Sequence, residues 1–332
     1  MTTHLVTGGA GFVGVSLVRE LLKRGDRVVI IDDLSRVGSD QRLADLKSEA
    51  GDALFAAIHD ICDRAAVEQT FVEQGPFDSV YHLAAQVAVT WAMEDPRRDF
   101  EVNALGSFNI IDATRRHCPS ARAVYMSSNK VYGGLEDLSF VAEGERTVFQ
   151  TLPEGVGVDR PLDPLTPYGV SKGTGESYFR DAYRTYGVPS VVLRASCIYG
   201  PRQSQQEDQG WVSWFAAAIT GGKTLRIFGD GRTTRDMLYV GDLVDLYLRI
   251  LDGPSPEGWV LNVGGGPESA RSLLEVVALI EDISGAAANV EHHPERSGDQ
   301  KVFITSTARA EELYGWKPWT RPEVGLRKLL GL

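Results

Sequence analysis

The chain carries only three cysteines among its 332 residues, Cys62, Cys118 and Cys197, an odd number in no paired spacing. That leaves no disulfide framework and fits small buried side chains in a reducing compartment. The six histidines are scattered or, at His292 and His293, adjacent, so no metal-ligand spacing arises and no catalytic metal is expected. Positive charge is also short: 34 Lys and Arg against 45 Asp and Glu give a net charge of −11 and a pI near 5.1. Neutralising a nucleic-acid backbone requires the opposite balance, so nucleic acid is not an expected partner, and any anionic ligand must be met by local arginines. No apolar run approaches the length of a membrane span, and MTTHLVTGG has neither the basic region nor the apolar stretch of a signal peptide. A cytoplasmic protein without a membrane partner is expected.

What is present is a regular alternation. Short β-branched runs (LVT at 5–7, VVII at 28–31, VYHLAA at 80–85, AVYMSS at 123–128) are separated by helical patterns near 12–23 and 103–116. Strand, helix and strand in repetition predict an α/β fold, a doubly wound parallel sheet covered on both faces, of the Rossmann type. Between Gly134 and Pro167 the periodicity fails and glycine, proline and acidic residues dominate, which predicts a lid or binding loop without regular structure. A helix resumes after Pro167, followed by a strand at 190–196. The chain divides on this reading into a dinucleotide-binding domain at 1–195 with about 234–254, and a smaller lobe at 196–233 and 255–332.

The stretch VTGGAGFVG places Gly8, Gly11 and Gly14 between a strand and an amphipathic helix. Such glycines permit a tight turn and close approach of a pyrophosphate, while the first helical amides, at Phe12 and Val13, offer N–H groups and the positive end of the helix dipole. Asp32, at the end of the second strand, can accept hydrogen bonds from both hydroxyls of an adenosine ribose and would repel a 2′-phosphate, which favours NAD. Arg36, close behind, keeps NADP open. Asp60 and Ile61 in HDICD are candidates for the adenine end, with a helix cap as the competing role for Asp60.

Tyr168 and Lys172 stand four apart on a predicted helix and so share a face. A phenol with a reference pKa of about 10 becomes a useful base when a neighbouring cation stabilises its phenolate, and Lys172 is placed to do so. Ser128, at the carboxyl end of a central strand where open α/β sheets bind ligands, can hydrogen-bond the same substrate oxygen.

Taken together, GGAGFVG, MSSNKVYG and PYGVSK resemble the extended short-chain dehydrogenase/reductase family of nucleotide-sugar epimerases and dehydratases, and the resemblance runs from about Thr3 to near the C-terminus. It implies that Tyr168, Lys172 and Ser128 remove a proton from a sugar hydroxyl while hydride passes to NAD. It also implies that Leu83, Ala84, Ala85 and Asn103 line the NAD channel. Relatives that eliminate water carry an Asp-Glu pair directly after the serine or threonine; this chain has Asn129 and Lys130 there. An epimerisation needs no such carboxylates.

NKVYG, HLAAQVAVT, TPYGVSKG, DQGWVSWF and ERSGDQKVF further resemble the members of that family that invert C2 of a CDP-linked hexose through a transient 2-keto sugar. The resemblance implies a nucleotide-sugar substrate, held by Arg235, Arg296 and Asp299 at its diphosphate and ribose, with Gln86, Val87, Ser128, Asn129, Gln203 and Trp211 as pocket candidates. Core packing is the competing role for Trp211 and Trp214. It implies a homodimer or homotetramer as well, paired through helices near 90–116 and 168–186. Another carbon, a UDP-, GDP- or dTDP-hexose, a decarboxylation, or a non-catalytic NAD sensor are the competing readings.

Overall fold

A computed structural model of the protein describes residues 2–205, 210–295 and 300–332. The chain opens as β1 (Thr3–Thr7), α1 (Phe12–Lys23), β2 (Arg27–Asp32), α2 (Ser39–Ala50), β3 (Leu54–Ile58), α3 (Arg64–Gln74) and β4 (Ser79–His82). Then come α4 (Val89–Glu94), α5 (Pro96–Phe100), a π-helical turn at Glu101–Gly106, α6 (Ser107–His117) and β5 (Arg122–Ser128). A hairpin of β6 (Phe140–Glu143) and β7 (Arg146–Phe149) precedes α7 (Pro167–Tyr186), β8 (Ser190–Ala195) and β9 (Cys197–Tyr199). The remainder runs α8 (Trp211–Thr220), β10 (Thr224–Phe228), β11 (Thr234–Tyr239), α9 (Val240–Asp252), β12 (Trp259–Val263), β13 (Ala270–Ser272), α10 (Leu273–Ser284), β14 (Asn289–His293), β15 (Val302–Phe303), α11 (Ala308–Tyr314) and α12 (Pro322–Leu330).

These elements form two compact units, Met1–Ser128 with Thr166–Arg194 and Val244–Leu261, and Asn129–Leu165 with Ala195–Leu243 and Asn262–Leu332. The first is built on a seven-stranded sheet in the order β12-β8-β5-β4-β1-β2-β3, in which β1 to β5 run parallel. Val28 to Ile31 are wholly buried, as expected of a strand covered on both faces. The strand order reverses between β1 and β4, and at this switch point the carboxyl ends of neighbouring strands splay their loops apart. Helix α1 buries Val15, Leu17, Val18 and Leu21, the stripe of an amphipathic helix. Helix α7 begins where the Thr166 hydroxyl accepts the Gly169 amide and Pro167 occupies the first turn, and it ends at Gly187 with φ of 72°.

The second unit has an apolar centre of Val212, Phe215, Ile219, Leu225, Ile227, Val276, Ile280 and Leu326, gathered from α8, β10, α10 and α12. A smaller cluster joins Val131, Tyr132, Leu135 and Phe149 to Val302 and Phe303. The stretch after Gly134 is not structureless: β6 and β7 pair antiparallel from Phe140↔Phe149 to Glu143↔Arg146, closed by Gly144 at φ 59° and Glu145. The hairpin escapes a search for apolar alternation because Val141, Ala142 and Glu143 are exposed, which leaves its strands little apolar surface to bury. Residues 129–165 and 234–243, which the sequence grouped with the sheet, cluster with the second unit, since β11 pairs with β9, β13 and β15 rather than with the large sheet. Among the described residues no helix is long and apolar enough to cross a membrane.

Candidate functional site

The loop joining β1 to α1 is shaped by close backbone approach. Gly8 has φ of 68°, and a Cβ there would sit 2.7 Å from the Ala84 amide nitrogen; at Gly14 it would lie 2.1 Å from the Gly8 carbonyl oxygen. Neither position accepts a side chain without displacing backbone, so the turn stays tight and the N-terminus of α1 is bare. Gly11 caps that helix with no side-chain hydrogen bond, which leaves the first-turn amides, those of Phe12 and Val13 among them, without side-chain competition. This cradle fits the pyrophosphate of a dinucleotide.

Asp32 ends β2 almost wholly buried, accepting the Ala10 amide at 2.9 Å and the Leu34 amide at 2.9 Å. Burial pushes its carboxyl above the usual range, and those two amides oppose the shift. Arg42, which the sequence reading passed over, donates to the Ala10 carbonyl at 2.7 Å and so straps the glycine loop from the other side. Arg36 is half-buried, and that burial lowers its pKa. Asp60 is not a helix cap; Asp63 is, accepting the amides of Ala65 and Ala66. Asp60 instead pairs with Arg98 at 2.6 Å and accepts the Cys62 amide. Burial alone would raise its pKa, but these partners hold it below the usual range. Ile61 is buried beside it, and Leu83, Ala84 and Ala85 are half-buried after β4, with the Ala84 amide on the Thr7 hydroxyl.

At the carboxyl end of β5, Ser128 hydrogen-bonds the Tyr168 phenol. Tyr168 and Lys172 lie one turn apart on α7, 8% and 3% exposed, so they react only with what enters a nearly closed site. The Lys172 ammonium sits 4.5 Å from the centroid of the Tyr125 ring, and the Tyr125 hydroxyl donates to the Lys172 carbonyl at 3.1 Å. This packing needs Gly175, where a Cβ would come within 2.4 Å of the Tyr125 hydroxyl. Burial drives both groups towards neutrality: the Tyr168 phenol is pushed up to about 12, with Ser128 opposing, and Lys172 is pulled down to about 7, with the charges of Asp99 and Glu176 opposing. The resting pair is a neutral phenol beside an ammonium that titrates near neutrality.

Other expected ligand groups are engaged within the protein. Asn103, wholly buried in the π-helical turn, donates to the Gln86 carbonyl, Asp99 and Ser171, and accepts the Gln86 amide. It therefore braces the Gln86 loop against α5 and α7. The Gln86 side chain donates to Asp99 and the Ala88 carbonyl and accepts the Ala88 amide, a strap within its own loop; Val87 is half-buried next to it. Asp99, Ser171 and Glu176 were missed as site residues, although Asp99 precedes Asn103 by four and Glu176 follows Lys172 by four, the spacing that shares a helix face.

In the second unit Asn129 donates to the Gln300 side-chain oxygen at 3.3 Å, and Gln300 donates to the Gly133 carbonyl at 2.6 Å. Arg235 is buried and anchored on the carbonyls of Thr234 (2.8 Å) and Gln300 (2.6 Å). Gln203 donates to the Ile198 carbonyl and accepts the Ser213 hydroxyl. Trp211 meets Phe215 edge-on at 5.1 Å, and with Trp214 it packs against the apolar centre, so both contribute to the core. Arg296 and Asp299 lie outside the described residues. Among the described residues no group of His, Cys, Asp and Glu is arranged to hold a metal.

Comparison with known proteins agrees with this geometry. A family model described as "NAD dependent epimerase/dehydratase family" matches residues 4–264. CDP-paratose 2-epimerase of Salmonella typhi is 35% identical over 98% of this chain and 97% of its own length. UDP-glucose 4-epimerase of Mycolicibacterium smegmatis is 34% identical over 98% of this chain and 96% of its own. The crystal structure of Thermus thermophilus UDP-glucose 4-epimerase in complex with NAD superposes with a TM-score of 0.84 at 30% identity, covering 99% of this chain and 98% of that one. With the glycine cradle and the carboxylate of Asp32 fitting the cofactor that the family uses, the chain is an NAD-dependent enzyme and belongs to the NAD dependent epimerase/dehydratase family.

Proposed function

We propose that the protein inverts C2 of a CDP-linked hexose, converting a CDP-paratose type of substrate to its CDP-tyvelose epimer. The observation that carries an epimerase reading is the buried set of Ser128, Tyr168 and Lys172, followed in the chain by Asn129 and Lys130 where an elimination would need an acid and a base. The choice of carbon and base leans on the likeness to the Salmonella typhi CDP-paratose 2-epimerase. The likeness to a UDP-glucose 4-epimerase makes inversion at C4 of a UDP-hexose the second reading.

On this proposal the Tyr168 phenolate takes the proton of the C2 hydroxyl, Lys172 supplies the positive charge that makes the phenolate accessible, and Ser128 hydrogen-bonds the same oxygen as it becomes a ketone. NAD, when bound, supplies the hydride acceptor for the oxidation and the donor for the return. After the ketone turns over, Tyr168 gives its proton back to the oxygen, so no external oxidant is consumed. Arg235, fixed by two carbonyls, suits a diphosphate oxygen; Arg296 and Asp299 are assigned to the same end from the sequence alone.

The test is a proton NMR time course of the purified protein mixed with CDP-paratose and no added NAD. Appearance of CDP-tyvelose signals is expected. No change, even after NAD is supplied, would remove this substrate and move the assay to UDP-, GDP- and dTDP-hexoses.

We also propose that two copies pair through α4, α5, α6 and α7. These helices pack on one another yet leave Trp91, Met93 and Phe100 between 54% and 62% exposed, with Leu105, Phe108, Val170 and Tyr178 also exposed. Light scattering should give a dimer or a multiple of it, and Trp91→Asp combined with Phe100→Asp should shift the mass to that of one chain. A wild-type monomer would contradict the pairing.

A further inference from the structure

A carboxylate outside the expected catalytic set lies beneath it. Asp99, on α5, is 1% exposed, and its two oxygens accept from three elements of the site. The Gln86 side-chain amide donates at 2.9 Å and that of Asn103 at 3.0 Å, while the Ser171 hydroxyl donates from α7 at 2.5 Å. Burial raises the pKa of Asp99 above the usual carboxylate value, and these three converging donors, with the charge of Lys172, oppose that shift and favour the ionised form. The Asp99 charge raises the pKa of Lys172, the residue after Ser171, and adds to the upward shift of the Tyr168 phenol.

We propose that Asp99 is a positioning residue for the Tyr168–Lys172 pair: its buried negative charge keeps Lys172 an ammonium, and its hydrogen bonds lock the Gln86 loop and the π-helical turn onto α7. This rests on the catalytic reading of Tyr168 and Lys172 given above. Among the groups facing Lys172, Asp99 is the larger of the two charges that raise its pKa and Glu176 the smaller. Tyr125 on β5 offers a neutral ring, and His82 on β4, pulled down to about 3 by burial and by Lys172 itself, is neutral. On α7, Tyr168 is a neutral phenol and Glu176 is already paired, with Arg194 of β8 at 2.5 Å and Arg180 at 3.7 Å. Asp99 is the carboxylate here whose hydrogen-bond partners are all neutral.

Asp99→Asn removes the charge and keeps the shape. The amide oxygen can still accept from Gln86 and Asn103, and the new NH₂ can donate to Ser171, whose hydroxyl turns to the Tyr168 carbonyl 3.1 Å away. The measurement is a pH titration of the side-chain nitrogens by NMR of the NAD-loaded, lysine-¹⁵Nζ-labelled protein, with Lys172→Met identifying the signal. The Lys172 midpoint is expected to fall by about one pH unit or more in Asp99→Asn, the usual effect of deleting an opposite charge nearby. Because a lysine with a lowered midpoint loses its charge sooner as pH rises, while loss of the Asp99 charge eases ionisation of Tyr168 equally at pH 5 and pH 8, turnover of the variant relative to wild type should fall about tenfold between pH 5 and pH 8. A merely structural Asp99 would lower the melting temperature and leave the midpoint in place, and that result overturns the proposal. If the midpoint is unmoved while Tyr168→Phe is inactive, Asp99 has no such role and the catalytic reading stands. If Tyr168→Phe remains active, the catalytic reading falls and the part given to Asp99 falls with it.

Discussion

Tyr168→Phe should lower turnover by about 10²- to 10⁴-fold, the range over which a positioned acid or base acts. The protein should remain folded and keep its NAD. The phenyl ring fills the same nearly closed space, and the substitution removes only the hydroxyl that meets Ser128. What is lost is the group that takes the proton and returns it, so the defect should lie in kcat with little change in KM. Single-turnover monitoring of the bound cofactor separates the steps: the variant should show neither reduction nor return on mixing with substrate. Unchanged kcat would remove Tyr168 from the mechanism.

The second large effect is on stability. Glu176 is wholly buried and Arg194 nearly so; the guanidinium donates to the carboxylate through Nε at 3.0 Å and an Nη at 2.5 Å, and the Ser127 hydroxyl adds a third contact at 3.2 Å. Removing the carboxylate takes from the buried Arg194 the counter-charge it donates to, which costs about 3–5 kcal/mol. Glu176→Ala should therefore lower the urea midpoint sharply. The double variant Glu176→Leu with Arg194→Met should recover most of that loss, because an apolar pair of similar volume removes both desolvation penalties. A loss under about 1 kcal/mol in the single variant would show that water reaches the pair. Glu176 also helps keep Lys172 charged, so turnover of Glu176→Ala at pH 8 should fall further than its folded fraction accounts for.

Much of this protein is written in local sequence. Alternating apolar runs predicted the doubly wound sheet because a parallel strand buried on both faces has to be apolar throughout, as Val28 to Ile31 are. The glycine turn, Asp32 and the Tyr168–Lys172 face were readable for a similar reason: a strand-to-helix turn and a helical repeat place residues a few positions apart at known offsets. The hairpin at 140–149 was not readable, since its strands bury little and so carry little apolar alternation.

Only the tertiary structure decided what the site residues are chemically. Ser171 and Asp99 stand 72 positions apart in the chain, and Glu176 and Arg194 are joined across 18. No propensity or spacing rule relates such pairs before the chain packs. Nor does the sequence state that Tyr168 and Lys172 are buried, and it is burial that moves one pKa up to about 12 and the other down to about 7. Covalent neighbours set which groups are present and on which face, because backbone geometry is local. Their charge states follow from solvent exclusion and from partners distant in sequence, which exist only once the fold has closed around them.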